Sequence, residues 1–261
     1  MDMRIGIIGG TGVYDSTLLK NFEETLPQTP FGKPSDSIVI GSINGRKIAF
    51  LPRHGKHHSY PPHKVPYKAN IWAMKMLDVD RIIAPSAVGS LNENLHPGMM
   101  VFPDQFIDVS KSRDNTFYND EAVHISMADP FCPELRLVAK QSADKLNIIS
   151  HSGANYICID GPRFSTRAES LFFKKYMMGD IIGMTLVPEI ILAREAQICY
   201  ATLATITDYD VWHTTPVSAT IVTQTIKKSA ENIKMIIGDI IGQIPSQHTC
   251  VCRNALDEAR L

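Results

Sequence analysis

Several short runs in this sequence concentrate side chains that can do chemistry. Thr207-Asp208-Tyr209-Asp210 follows the apolar run Cys199–Ile206. A strand there would put two carboxylates at its carboxyl end, where exclusion of water raises a carboxyl pKa and makes the acid a useful proton donor. The same residues also suit an Asp-rich turn capping the next helix. Arg53-His54-Gly55-Lys56-His57-His58 gathers cations and hydrogen-bond donors. An arginine fork suits an oxyanion such as phosphate, although a solvated basic loop has the same composition. Gly9-Gly10-Thr11-Gly12 can turn backbone N–H groups toward an anion, or simply turn. In Asp160-Gly161-Pro162-Arg163-Phe164-Ser165 an aromatic stands beside a hydroxyl, which fits the wall of a flat-ring pocket and fits core packing equally well.

Other chemistries lack their residues. Three positions after Gly12 stands Asp15, so the dinucleotide-binding glycine pattern is broken, and no P-loop pattern occurs. His54 and His58 are four apart, but Gly55 and Pro61-Pro62 oppose a helix there and no glutamate stands where a zinc protease needs its base. No metal is expected. The five cysteines, Cys132, Cys158, Cys199, Cys250 and Cys252, show no Cys-x-x-Cys spacing. Cys250-Val251-Cys252 fits two ordinary thiols or a disulfide-forming pair.

These residues must be held by elements, and the pattern of the chain supplies them. Strands are predicted at Met3–Ile8, Arg81–Pro85, Met99–Ile107, Asn155–Ile159, Asp180–Met184 and Cys199–Ile206, with a hairpin across Asn44-Gly45. Helices are predicted at Tyr67–Leu77, Glu134–Leu146, Arg167–Tyr176, Pro188–Gln197 and Val217–Ile244, the last with a bend near Gly238. The first two strands empty into small-residue turns, Gly9–Gly12 and Ser86-Ala87-Val88-Gly89-Ser90. Strand and helix alternate without a linker, which predicts one α/β domain over 1–261 with helices on both faces of a sheet and ligands at strand carboxyl ends. The 261 residues carry 44% hydrophobic and 20% charged side chains, enough for a core. A net charge of -1 argues against nucleic acid as a partner. No apolar run approaches a membrane span and no signal-peptide pattern opens the chain, so a cytoplasmic location is expected.

Taken in order, the runs Ile5–Gly12, Thr29–Asp36, Arg53-His54-Gly55, Ala69–Ala73, Asp104–Asp108, Gly161–Ser165, Val187-Pro188-Glu189 and Thr207–Asp210 resemble the nucleoside phosphorylase family, in its methylthioadenosine-cleaving branch, over nearly the whole chain. The Cys-x-Cys ending, in a tail from about residue 245, resembles that of archaeal members. The resemblance implies a central mixed sheet and a phosphorolysis serving purine and methionine salvage. In it, inorganic phosphate attacks 5′-methylthioadenosine, releasing adenine and 5-methylthioribose 1-phosphate without metal or cofactor. It implies that Thr11, Arg53, His54, Ser86, the Ala87 backbone N–H and Thr185 hold phosphate. Met184 is expected against the ribose and Phe164 against the base, with Ser165 and Thr207 nearby. Asp208 and Asp210 are expected at the purine N7 and 6-amino edge. Val217 and Val222 would wall the methylthio pocket, closed by His124 of a neighbouring subunit in a homotrimer or a dimer of trimers. Pro85-Ser86 departs from the two threonines frequent in the family, which keeps one hydroxyl and loses the other. Two other readings carry weight. A phosphorylase of 6-oxopurine nucleosides or methylthioinosine would share the phosphate site, and a nucleoside-binding protein without activity would share the fold.

Overall fold

In strand β1 (Arg4–Gly9), Ile5 and Ile7 point to one face of the sheet and Ile8 to the other, and the strands beside it repeat that period of two. The same alternation sends Ile48 and Phe50 of β4 (Arg46–Pro52) one way and Ala49 and Leu51 the other. In β11 (Cys199–Asp208), buried along its whole length, Ala201 and Leu203 part from Tyr200 and Ala204. Two apolar cores result. One lies under α1 (Tyr67–Met76) and α4 (Glu189–Glu195), through Ile71, Met74 and Leu192. The other lies under α2 (Pro133–Lys145) and α5 (Ala219–Gln243), through Leu135, Val138, Ile236 and Ile240. A third, smaller cluster seats α3 (Arg167–Lys175) through Phe173 on Leu91, Ile157 and Ile182. The computed structural model describes residues 4–10, 20–214 and 217–260. Among them no helix is long and apolar enough to cross a membrane.

Among the described residues one mixed sheet of 11 strands joins these layers. Its path is β2 (Lys20–Thr25), β3 (Ile38–Ile43), β4, β1, β5 (Val79–Ser90), β10 (Ile181–Gly183), β9 (Asn155–Cys158) and β7 (Gln105–Asp108). β11 leaves this path, pairing with β5 and with β6 (Met100–Phe102), which pairs in turn with β8 (Ser150–Ser152). The long β5 is the branch. Parallel β11 lines one of its edges from Arg81 to Gly89, whereas the opposite edge pairs with β1 only as far as Ile83 and with β10 only from Gly89 onward. Between those points that edge of β5 has no strand beside it among the described residues.

The hairpin expected at Asn44-Gly45 forms, with φ of 51° and 77° at its two central residues. All five expected helices are present within two or three residues, and α5 continues through Gly238 as one helix. Two expectations need correction. Met99–Ile107 is two strands, β6 and β7, separated at Pro103, whose ring provides no ladder N–H. Ser86–Ser90 is strand rather than turn: Ser86 to Gly89 pair with β11, and Gly89 and Ser90 pair with β10 on the other edge.

Candidate active site

The carboxyl ends of β1, β4, β5, β10 and β11 converge on the open edge of β5 and enclose a cavity of about 320 Å³. Arg53 enters directly after β4 and is almost wholly buried. Most of its fork is engaged within the protein: Nε and Nη2 donate to Glu189 at 2.7 and 2.8 Å, Nη2 also donates to the Ile8 carbonyl at 2.9 Å, and Nη1 donates to that of Pro85 at 3.1 Å. Of five guanidinium N–H groups, one on Nη1 is left for a ligand among the described residues. The expectation of a planar fork on phosphate is corrected to a fork on Glu189. Burial disfavours the charged guanidinium, but the Glu189 carboxylate outweighs it and holds Arg53 charged. Glu189 also accepts from the Tyr200 hydroxyl at 2.8 Å, so α4 carries a buried pillar behind the cavity.

His54 donates from Nδ1 to the Tyr60 carbonyl at 2.8 Å, since a carbonyl can only accept. Burial, then the charge of Arg53, lower its pKa to about 4, so the ring is neutral and Nε2 is an acceptor. Such a nitrogen suits the P–OH of a hydrogen phosphate. Across from it the hydroxyls of Ser86 and Thr185 stand 3.3 Å apart. The buried Tyr156 hydroxyl lies near this pair and has no hydrogen-bond partner among the described residues. Gly183 makes that approach possible, because a Cβ there would lie 1.9 Å from the phenol oxygen. By strand alternation the Ala87 N–H points the same way as the Pro85 carbonyl, to the unpaired edge where Arg53 reaches. Thr11 lies outside the described residues; its neighbour Gly10 lines the cavity.

At the other end β11 carries a bulge: Ile206 pairs with Val88 and Asp208 with Gly89, so Thr207 is the extra residue. Bulges re-aim side chains, and here Thr207 and Asp208 both line the cavity. Asp208 accepts from the Thr207 hydroxyl at 2.7 Å and from the Asp210 N–H at 2.8 Å. Asp210, at φ 49°, turns back into the same space, where its Oδ2 is buried without a hydrogen-bond partner among the described residues. Burial raises both carboxyl pKa values, against the Thr207 bond at Asp208; the Ser170 hydroxyl near Asp210 is itself without a hydrogen-bond partner among the described residues. Gly89 admits the pair, since a Cβ there would meet Asp208 Oδ1 at 3.0 Å.

Phe164, Ser165 and Met184 complete this end. They are held by the start of α3, where Thr166 and Glu169 cap one another reciprocally, and by Gly161, whose missing Cβ makes room for the Met184 sulfur. Val222 lines the cavity, whereas Val217, before the Ser218 cap of α5, does not. Ile226 and Ile233 do so instead, four and eleven residues beyond Val222 on the same helical face, a spacing that the sequence displays. His58, from the cationic run after β4, and Lys227 also reach the lining; nothing in the local sequence marks Lys227. His124 is exposed and does not line this cavity; its backbone N–H donates to Ala259. No described residue of the cavity belongs to a cluster with metal-ligand geometry.

The arrangement offers hydroxyl, amide and guanidinium donors at one end, buried carboxyls at the other and apolar walls between. Residues 4–242 match the model of the phosphorylase superfamily. The chain is 56% identical, over 99% of its length and 98% of the relative's, to S-methyl-5′-thioadenosine phosphorylase of Nitrosopumilus maritimus, and 54% identical, over 98% of each, to that of Thermofilum pendens. Among solved structures it is similar to a methylthioadenosine phosphorylase from an antarctic soil metagenomic library, with a TM-score of 0.94 and 47% identity, covering 100% of this chain and 93% of that one. The Schistosoma mansoni enzyme in complex with adenine superposes with a TM-score of 0.94 at 36% identity, covering 99% of both chains.

Proposed function

This chain belongs to the phosphorylase superfamily, and we propose that it is an enzyme that cleaves 5′-methylthioadenosine with inorganic phosphate. A phosphate oxygen bonds to C1′ as the C1′–N9 bond breaks. The electron pair of that bond goes to the base, a proton goes to N7, and adenine and 5-methylthioribose 1-phosphate leave. The orphan buried oxygen of Asp210 carries the choice of base: it is an acceptor lacking a donor, which the 6-amino group of adenine supplies and a 6-carbonyl cannot.

Asp208, raised by burial, is the acid that delivers the proton to N7, with Thr207 fixing its second oxygen. Ser86, Thr185, the Ala87 N–H and the one available N–H of Arg53 hold phosphate, and neutral His54 accepts a hydrogen bond from its P–OH. Thr11 joins them from outside the described residues. Fixed donors of this kind stabilise developing charge without rearranging during the reaction. Phe164, Ser165 and Met184 face base and ribose, and Val222 with Ile226 faces the apolar 5′ substituent. No metal or organic cofactor takes part.

The working unit is read as a homotrimer or a dimer of trimers in which His124, remote from its own cavity, closes a neighbour's. Leu171, Phe172, Tyr176 and Met178 leave an exposed apolar surface on and after α3 that a second copy can cover, which supports this reading. The experiment is a substrate panel assayed for free base. Adenine release from methylthioadenosine that requires phosphate and survives chelator is expected. Phosphate-dependent release from methylthioinosine at equal or greater kcat/KM would replace this reading with the 6-oxopurine one, and binding without release would leave a nucleoside-binding protein.

A further inference from the structure

Far from the cavity, the fold assembles four cysteines that the linear sequence keeps apart. Cys132 caps α2, Cys199 opens β11, and Cys250 and Cys252 come from the tail, and their sulfurs all lie within 4.8 Å of one another. Cys132, Cys199 and Cys252 are buried in the core under α2 and α5, with Cys250 packed on its edge. All five cysteines of the chain are unbridged thiols in the structure. Four bonds of about 2.3 Å to one tetrahedral ion put sulfurs about 3.8 Å apart, and the 3.4 Å between Cys199 and Cys250 already approaches that edge.

We propose that Cys132, Cys199, Cys250 and Cys252 bind one soft divalent cation of the zinc type, which clamps the tail to the core. Four thiols bind the ion and release four protons, leaving a complex of net charge −2. The neighbourhood is mixed in charge: buried Arg81 lies beside His248 and pairs with Asp80 at 3.2 Å and Glu134 at 3.9 Å, and Arg194, which donates to the Pro130 carbonyl at 3.2 Å, exerts its charge on Cys252. The α2 amino terminus adds its partial positive charge at Cys132. His248 places Nδ1 3.4 Å from the Cys199 sulfur, while its Nε2 lies 3.0 Å from both Arg81 Nη1 and Asp80 Oδ2. A ring nitrogen at that distance from sulfur is the kind of outer-sphere contact that metal-bound ligands take. β11 separates this cluster from Asp208 by about 30 Å, so the ion belongs to the architecture and takes no part in the reaction.

The test uses the full chain purified without chelator. Elemental analysis should find one zinc per chain, and alkylation under native conditions should modify Cys132, Cys199, Cys250 and Cys252 only after the metal is stripped. Cobalt added to the stripped wild-type protein should give the intense visible absorption of a tetrahedral thiolate site, a readout that needs no variant to fold. Cys252→Ser should lose the metal, and Cys158→Ser, outside the cluster, should keep it. Four reactive thiols with no metal would overturn the proposal. So would a mass two hydrogens short for a disulfide, or metal retained in both Cys252→Ser and Cys199→Ser.

Discussion

Asp208 and Asp210 hold their protons more tightly in the folded protein than in the unfolded chain, because burial raises both. Stability is therefore lost as pH rises through the carboxylate range and stays lost at neutral pH. Asp208→Asn should raise the melting temperature while lowering turnover by about 10²–10⁴-fold, the contribution of a positioned acid. A variant that is both inactive and less stable would deny this carboxyl its proposed role. At Asp210 the amide of Asn could donate to a 6-carbonyl, so Asp210→Asn should lower the ratio of kcat/KM for methylthioadenosine over methylthioinosine; an unchanged ratio places base recognition elsewhere. His54 titrates in the opposite sense. The unfolded ring takes a proton near its ordinary value of 6.5, the folded ring only near about 4, so stability is complete above about 6.5 and declines as pH falls toward 4. The gap corresponds to about 3 kcal/mol at most. Melting curves from pH 7 to 5 should fall more steeply in wild type than in His54→Gln.

Among the elements, β10 is short, yet its Gly183 decides how close Tyr156 comes to the phosphate donors. Gly183→Ala should cost about 1–3 kcal/mol by overpacking and weaken phosphate use. Adding Tyr156→Phe, which removes the clashing oxygen, should restore part of the stability; thermal denaturation and the KM for phosphate would report both effects. Glu189→Gln leaves the Arg53 guanidinium buried without its carboxylate and should cost about 3–5 kcal/mol. The parts of this scaffold legible from sequence were those with a local cause. Asn44-Gly45 announced its turn by backbone tolerance, and the apolar run of β11 announced a central strand ending in carboxylates. β2 and β8, Lys-Asn-Phe-Glu-Glu-Thr and Ser-His-Ser, were illegible because they are polar strands whose pairing comes from a neighbour. Glu189 gave no local sign of its partnership with Arg53, 136 residues away, and the four-cysteine cluster likewise exists only in tertiary structure.

For the molecule as a whole, light scattering on the purified protein should report three or six copies. His124→Ala should then raise the KM for methylthioadenosine without dissociating the assembly, whereas a fully active single-copy species would remove His124 from the site. The opening along β5 acts at this scale too. A sheet whose Ala87 N–H faces a gap between two neighbours is a sheet with a hydrogen bond still to be made, and a tetrahedral oxyanion has the acceptor to make it. The anion thereby takes the place of the missing stretch of strand at that position. Folding and substrate binding become one equilibrium, with the melting point climbing logarithmically in phosphate, by about 2.7 kcal/mol of stability at a hundredfold excess over Kd. Sulfate, which has the same shape and cannot complete the reaction, should support the fold in the same manner, so that the protein's thermal record would register the salt of its buffer as part of its sheet.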